Sequence, residues 1–228
     1  MSKQFEVVFE GEFPATPDQV WQAVTAETAA WLFPTEGMGG EELVFERPTH
    51  RVNRVEGADG WFNQLEQVIT DRPEGRSFMR WVHSGVFQDD WDAQYDGVSQ
   101  HTVFYMHTLA QYLEYFAGRP AVFADIQGPK ASTGPEAFEV VRSALGISAN
   151  TVAGDSTHVD LPGIGARGVV VDLQDEHFIG LRTDDALYRF FGRNAFGGQV
   201  GMTVHHFGDA DAAVLQRQWQ EWIDGLFA

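Results

Sequence analysis

The stretch "VSQHTVFYMHTLAQYLEYFAG", residues 98 to 118, constrains the fold more than any other part of the chain. Ser99 suits a helix N-cap and Gly118 a helix stop, so the spacing predicts one long helix between them. Projected at about 100° per residue, that helix carries a wide inward stripe in two halves. Met106, Leu109, Leu113 and Phe116 form the apolar half. His101, Tyr105, Thr108 and Tyr112 form a half tipped with polar atoms, and His107, Gln111 and Glu114 fall on the back. A helix that only seals a core has no use for those tips. One that roofs a partly hydrated cavity does.

Such a helix needs a sheet beneath it, and the preceding residues supply one. In "FEVVFEGEF" (5–13), Phe5, Val7, Phe9 and Phe13 alternate onto one face, the mark of a strand. "PATPDQVWQAVT" follows as a helix, with Thr16 as N-cap, Pro17 in the first position and Val20, Trp21 and Val24 as the buried stripe. From 43 to 87 the pattern is of strands: "ELVFE", "HRVNRV", "GWFNQLEQVIT" and "GRSFMRWVHSGVF". The turn "DRPEG" closes a hairpin between the last two. "QDDWDAQYDG" (88–97) reads as an acidic link that Trp91 and Tyr95 pin to the body.

After a stretch rich in glycine, proline and small residues (117–135), the grammar restarts. "GPEAFEVVRSALGI" is a helix; "RGVVVDL", "HFIGLRT", "ALYRFFGR" and "QVGMTVHHF" are four strands. A closing amphipathic helix carries Leu215, Trp219, Trp222 and Leu226. The reading is of an α+β chain with a first domain at 1–120. A second, abbreviated unit of similar order, lacking an opening strand, occupies 121–228.

Composition removes several classes of function. With 33 acidic and 15 basic side chains the formal charge is −18, which repels nucleic acid and anionic membrane. There is no cysteine, hence no disulfide, thiolate metal site or cysteine nucleophile. His205 and His206 are neighbours on a strand and point to opposite faces, and no HExxH occurs, so neither a metal site nor a cofactor is expected. No run approaches the roughly 20 apolar residues of a membrane helix. The default is a soluble, cytoplasmic protein without membrane insertion.

Three segments resemble a known group. "FPATPDQVWQAVTAETAAWLFP", "HSGV" before the acidic link and "FYMHTLAQYLEYFAGRP" are similar to the START-like (SRPBCC) superfamily, and within it to the heat-shock-protein-90 ATPase activator homologues. The resemblance covers residues 5 to 120. It implies a helix-grip fold: a curved antiparallel sheet wrapped on the long helix, with a cavity between them. Trp31, Phe33 and Pro34 would then stand near the cavity mouth. The eukaryotic chaperone activators carry a separate N-terminal domain, which this chain does not show ahead of the grip, and this counts against a co-chaperone role.

Three functions follow as expectations. The first is binding of a small hydrophobic or aromatic ligand by Trp31, Phe33, Trp81, His83, Tyr105, Thr108 and Tyr112. The second is a cyclase- or aromatase-like enzyme using His83 or His101 in general acid/base chemistry on a polyketide-like substrate, which needs a tyrosine within reach of the histidine. The third is a chaperone-associated interaction module, which needs an exposed apolar patch and little internal volume. A homodimer built on the C-terminal unit is compatible with all three.

Overall fold

The computed structural model describes residues 3–87, 91–148 and 150–228. Two compact units divide it, residues 1–119 and 120–228.

In the first unit the alternation of Phe5, Val7 and Phe13 buries one face of strand β1 (Lys3–Phe13). Helix α1 (Pro17–Thr25) starts at a full capping box, in which Gln19 N donates to Thr16 Oγ1 at 3.4 Å and Thr16 N to Gln19 Oε1 at 3.0 Å. A single 3-10 turn, Thr28–Ala30, follows. Strands β2 (Glu41–Glu46), β3 (His50–Glu56), β4 (Phe62–Arg72) and β5 (Arg76–Phe87) then form an antiparallel meander. The turn between β4 and β5 holds Glu74 and Gly75 at positive φ, which the "PEG" sequence accommodates. β1 returns to pair with β5, from Lys3↔Phe87 to Phe13↔Ser77, giving the order β1-β5-β4-β3-β2. At one point of that seam Gly85 leaves room for the Phe5 ring, which lies where a Cβ would stand.

Helix α2 (Trp91–Tyr115) closes the unit. It begins eight residues before Ser99, so most of the stretch read as an acidic link is helix instead. Carboxylates favour the first turns of a helix electrostatically, and Gln100 Nε2 donates to Asp96 Oδ1 at 3.0 Å across one turn. Residues 88–90 and the side chain of Trp91 lie outside the described residues. Tyr95 does tie the helix start to the sheet, its phenol donating to the Glu6 carbonyl at 3.4 Å. Met106, Leu109, Leu113 and Phe116 are all buried, as the inward stripe requires.

The second unit departs from the sequence reading. The stretch rich in glycine, proline and small residues, to which the sequence assigns no element, contains strand β6 (Val122–Gln127), whose Ala124 and Ile126 are buried; the glycines and prolines around it obscure the short alternation. After α3 (Ala137–Ala144) come β7 (Ser156–Leu161), also unanticipated, then β8 (Gly165–Gln174), β9 (Phe178–Arg182), β10 (Ala186–Phe191) and β11 (Gly201–His206). Helix α4 (Ala212–Leu226), capped by Asp211, ends the chain. The sheet order is β6-β11-β10-β9-β8-β7, so here too the first strand pairs with the last. This unit has its own opening strand and six strands against five, and is not a shortened copy.

Its interior is filled. Trp219 and Ile223 of α4 are wholly buried, and Trp219 lies 5.4 Å from both the Tyr188 and Trp222 rings and 6.0 Å from Phe190. Arg189 Nη1 donates to both oxygens of Asp172 at 2.7 and 2.9 Å, with both side chains almost fully buried. Gly180, opposite Arg189 in register, is what lets them meet, because a Cβ there would collide with both. Gly180→Ala is therefore expected to destabilise the protein by about 3 kcal/mol, the scale of a broken buried ion pair, measured by urea unfolding.

Candidate functional site

Between α2 and the sheet of the first unit the packing is incomplete. The C-terminal half of α2 seals the interior, whereas its N-terminal half leaves a cavity of about 540 Å³. The sheet contributes the floor. Alternation along β4 and β5 sends Asn63, Leu65, Trp81 and His83 to the same face, and β3 adds Asn53 and Val55. The helix contributes Val98, His101, Thr102, Tyr105 and Met106. The segment after α1 supplies one wall: Trp31 is wholly buried, its indole Nε1 donating to the Ala23 carbonyl at 2.9 Å. Trp31 meets Trp81 edge-on, with ring centres 6.3 Å apart. Phe33 is partly exposed and faces Tyr105 edge-on at 6.5 Å, and Met38 is 61% exposed, so these two side chains mark the mouth.

Among the described residues the lining contains no Asp, Glu, Lys or Arg. Its polar atoms come from amides, hydroxyls and imidazoles. Asn63 Nδ2 donates to His83 Nε2 at 2.9 Å, which makes that nitrogen the acceptor and puts the neutral ring's proton on Nδ1. Burial, with the Phe5 ring edge-on at 5.0 Å, lowers the His83 pKa from 6.5 to about 4. His83 is accordingly uncharged at neutral pH. His101 donates from Nδ1 to the Gly97 carbonyl at 2.7 Å.

Of the residues named from sequence, Trp31, Phe33, Trp81, His83, His101 and Tyr105 line the cavity. Thr108 and Tyr112 do not. Thr108 Oγ1 turns back to the Phe104 carbonyl at 2.9 Å. The buried Tyr112 phenol donates to Glu27 Oε2 at 2.7 Å and accepts from Gly118 N at 3.0 Å. Its pKa is raised by burial and then by the Glu27 bond. Tyr112 thus ties the end of α2 to the turn that carries Trp31 and Phe33, a positioning role. Asn53 and Asn63 were not picked out from sequence. Their signal was present as amides at inward positions of "HRVNRV" and "WFNQLEQV", where alternation asks for apolar side chains. No cluster of three or more His, Asp or Glu able to hold a metal occurs among the described residues.

No protein-family model matches the chain, and no curated protein matches it. Several solved structures are similar. Protein MLL2253 from Mesorhizobium loti is 20% identical, over 49% of this chain and 98% of that one, with a TM-score of 0.40. The Aha1 dimer from Colwellia psychrerythraea is 15% identical, over 48% and 96%, with a TM-score of 0.39. DynU16, from the dynemicin biosynthetic locus, is 16% identical over 97% and 96%, with a TM-score of 0.37. In the first unit, strand β1 beside β5, a meander from β5 to β2 and one long closing helix settle the architecture. The first unit has a helix-grip fold. No described helix is long and apolar enough to cross a membrane.

Two outcomes follow. Above about pH 6.5 neither folded nor unfolded His83 holds the extra proton; between 6.5 and about 4 only the unfolded state takes it up, so stability falls as the pH drops. Unfolding midpoints of wild type and His83→Gln should diverge across that window, the wild type having the steeper loss. Tyr112→Phe removes a buried hydrogen bond to a carboxylate and should cost about 1.5–3 kcal/mol by chemical denaturation.

Proposed function

We propose that the first unit binds a neutral, largely aromatic small molecule between α2 and the sheet. The supporting observation is a cavity of about 540 Å³ walled by Trp31, Trp61, Trp81 and Tyr105 with no charged side chain among its described lining. Small-molecule sites are of this kind, about 300–1,000 Å³, mostly apolar, with a few placed polar groups. A charged ligand entering it would lose its hydration without gaining an opposite charge. Trp31, Phe33, Trp81, His83 and Tyr105 are the contacts we assign to the ligand, with the Asn63–His83 pair orienting a polar substituent.

Binding fits the site better than acid/base catalysis does. His83 is bonded to an amide, and with a pKa of about 4 it has no proton to give from an imidazolium at neutral pH. An interaction module asks for little internal volume, and the cavity favours a ligand-binding reading over it. The second unit, with Tyr188, Phe190 and Trp219 in the equivalent space, we assign a structural role as a filled grip.

Native mass spectrometry of the purified protein, before and after denaturation, tests the binding role. A small neutral molecule should leave with denaturation. Leu65→Trp, which fills the floor of the cavity, should keep the fold by circular dichroism and lose that mass. A mass retained equally by the variant would place the molecule elsewhere and overturn the reading.

A further inference from the structure

We propose that the ligand also reaches Gln67, the next position on the same face of β4 beyond the residues that line the cavity, and does so with a neutral head that carries a hydrogen-bond donor beside an acceptor, as a carboxamide or lactam does. This rests on the binding role proposed above and specifies the chemistry of its ligand.

Gln67 is wholly buried in β4, and neither Nε2 nor Oε1 has a hydrogen-bond partner among the described residues. Its position is fixed by the strand. Asn63, Leu65 and Gln67 follow one another on the same face, and the first two line the cavity. Opposite Gln67 in the β5 register stands Trp81, a third lining residue. On its other side, in β3, stands Arg51, whose guanidinium is already taken: it pairs with Glu42 and reaches the Val24 carbonyl from Nη1 at 3.4 Å. Gln67 therefore shares a face with two residues of the cavity and a register row with a third, and the one cation beside it is committed to a carboxylate.

A buried amide without partners lowers stability, and a leucine or methionine would occupy nearly the same volume without that penalty. Native proteins keep such groups where something pairs with them. An amide presents one acceptor and two donors, so the complementary partner offers both kinds of atom side by side. A carboxylate head answers only half of this: it accepts from Nε2 but has no donor for Oε1, it gives up its hydration on burial, and Arg51 is held by Glu42.

The test is calorimetric titration of the full chain with three naphthalenes of matched size: 2-naphthamide, 2-methylnaphthalene and 2-naphthoate. Wild type should prefer the amide to the methyl compound by about tenfold, the value of one or two net hydrogen bonds, and bind the carboxylate most weakly. Gln67→Leu and Gln67→Met should each melt higher, bind 2-methylnaphthalene at least as well, and lose the preference for the amide. In the wild type, the side-chain NH₂ resonances of Gln67 should move with 2-naphthamide and stay put with 2-methylnaphthalene. An amide preference that persists in both variants, or Gln67 resonances that ignore the bound amide, overturns the inference and leaves the cavity's role standing. Failure of all three probes to bind wild type, together with a clean apo mass, overturns both.

Discussion

The first unit is held closed by the contact between α2 and its sheet, and what the unit can do depends on how far along the helix that contact extends. Met106, Leu109, Leu113 and Phe116 bring enough volume to meet β1 and the body of the sheet. A turn or two earlier the inward positions pass to His101, Thr102 and Tyr105, and the strands opposite offer Asn53, Asn63 and His83. Polar side chains on both sides cannot interdigitate as an apolar core does without leaving atoms unpaired. The space between them stays open, and the tryptophans at its edge keep it apolar.

That space sets its own electrostatics inside a strongly acidic protein. The formal charge of −18 is carried elsewhere, and the cavity walls are neutral. His83 shows the consequence: with burial the dominant influence, its ring gives up the proton well before a solvated histidine would. The same walls contain amides, hydroxyls and imidazoles, and under the proposed role these would sort ligands by hydrogen-bond pattern. The pairing of Arg51 with Glu42 at the outer strands keeps those two charges occupied with one another.

Much of this was legible in the residues. The apolar stripe of α2, the Thr16–Pro17 helix start and the β4–β5 hairpin follow from spacing, and the resemblance of 5–120 to helix-grip proteins pointed to the same fold. What failed did so for identifiable reasons. The start of α2 was hidden because "DDWDAQYD" reads as a solvated link unless the preference of carboxylates for helix N-termini is weighed. β6 was hidden in a glycine- and proline-rich neighbourhood, and β7 is short and only two of its residues are buried. Thr108 and Tyr112 share a helix face with the cavity residues, but face alone does not say where along the axis the packing closes. Asn63 and Gln67 escaped notice because a polar residue in a strand is ordinarily taken to point outwards.

The seam between first and last strand also has a temporal side. β1 leaves the ribosome some sixty residues or more ahead of the part of β5 that pairs with it, and β6 likewise waits for β11. Neither sheet can be completed until its last strand has been made, and pairing over such distances is slow compared with forming a hairpin. The meander and its hairpins can assemble locally first, leaving Phe5, Val7 and Phe13 exposed on a waiting strand. Synthesis order therefore makes the addition of that strand, followed by the clamp of the long helix, the late event in each half, and it makes the apolar face of β1 the surface most in need of protection on the nascent chain.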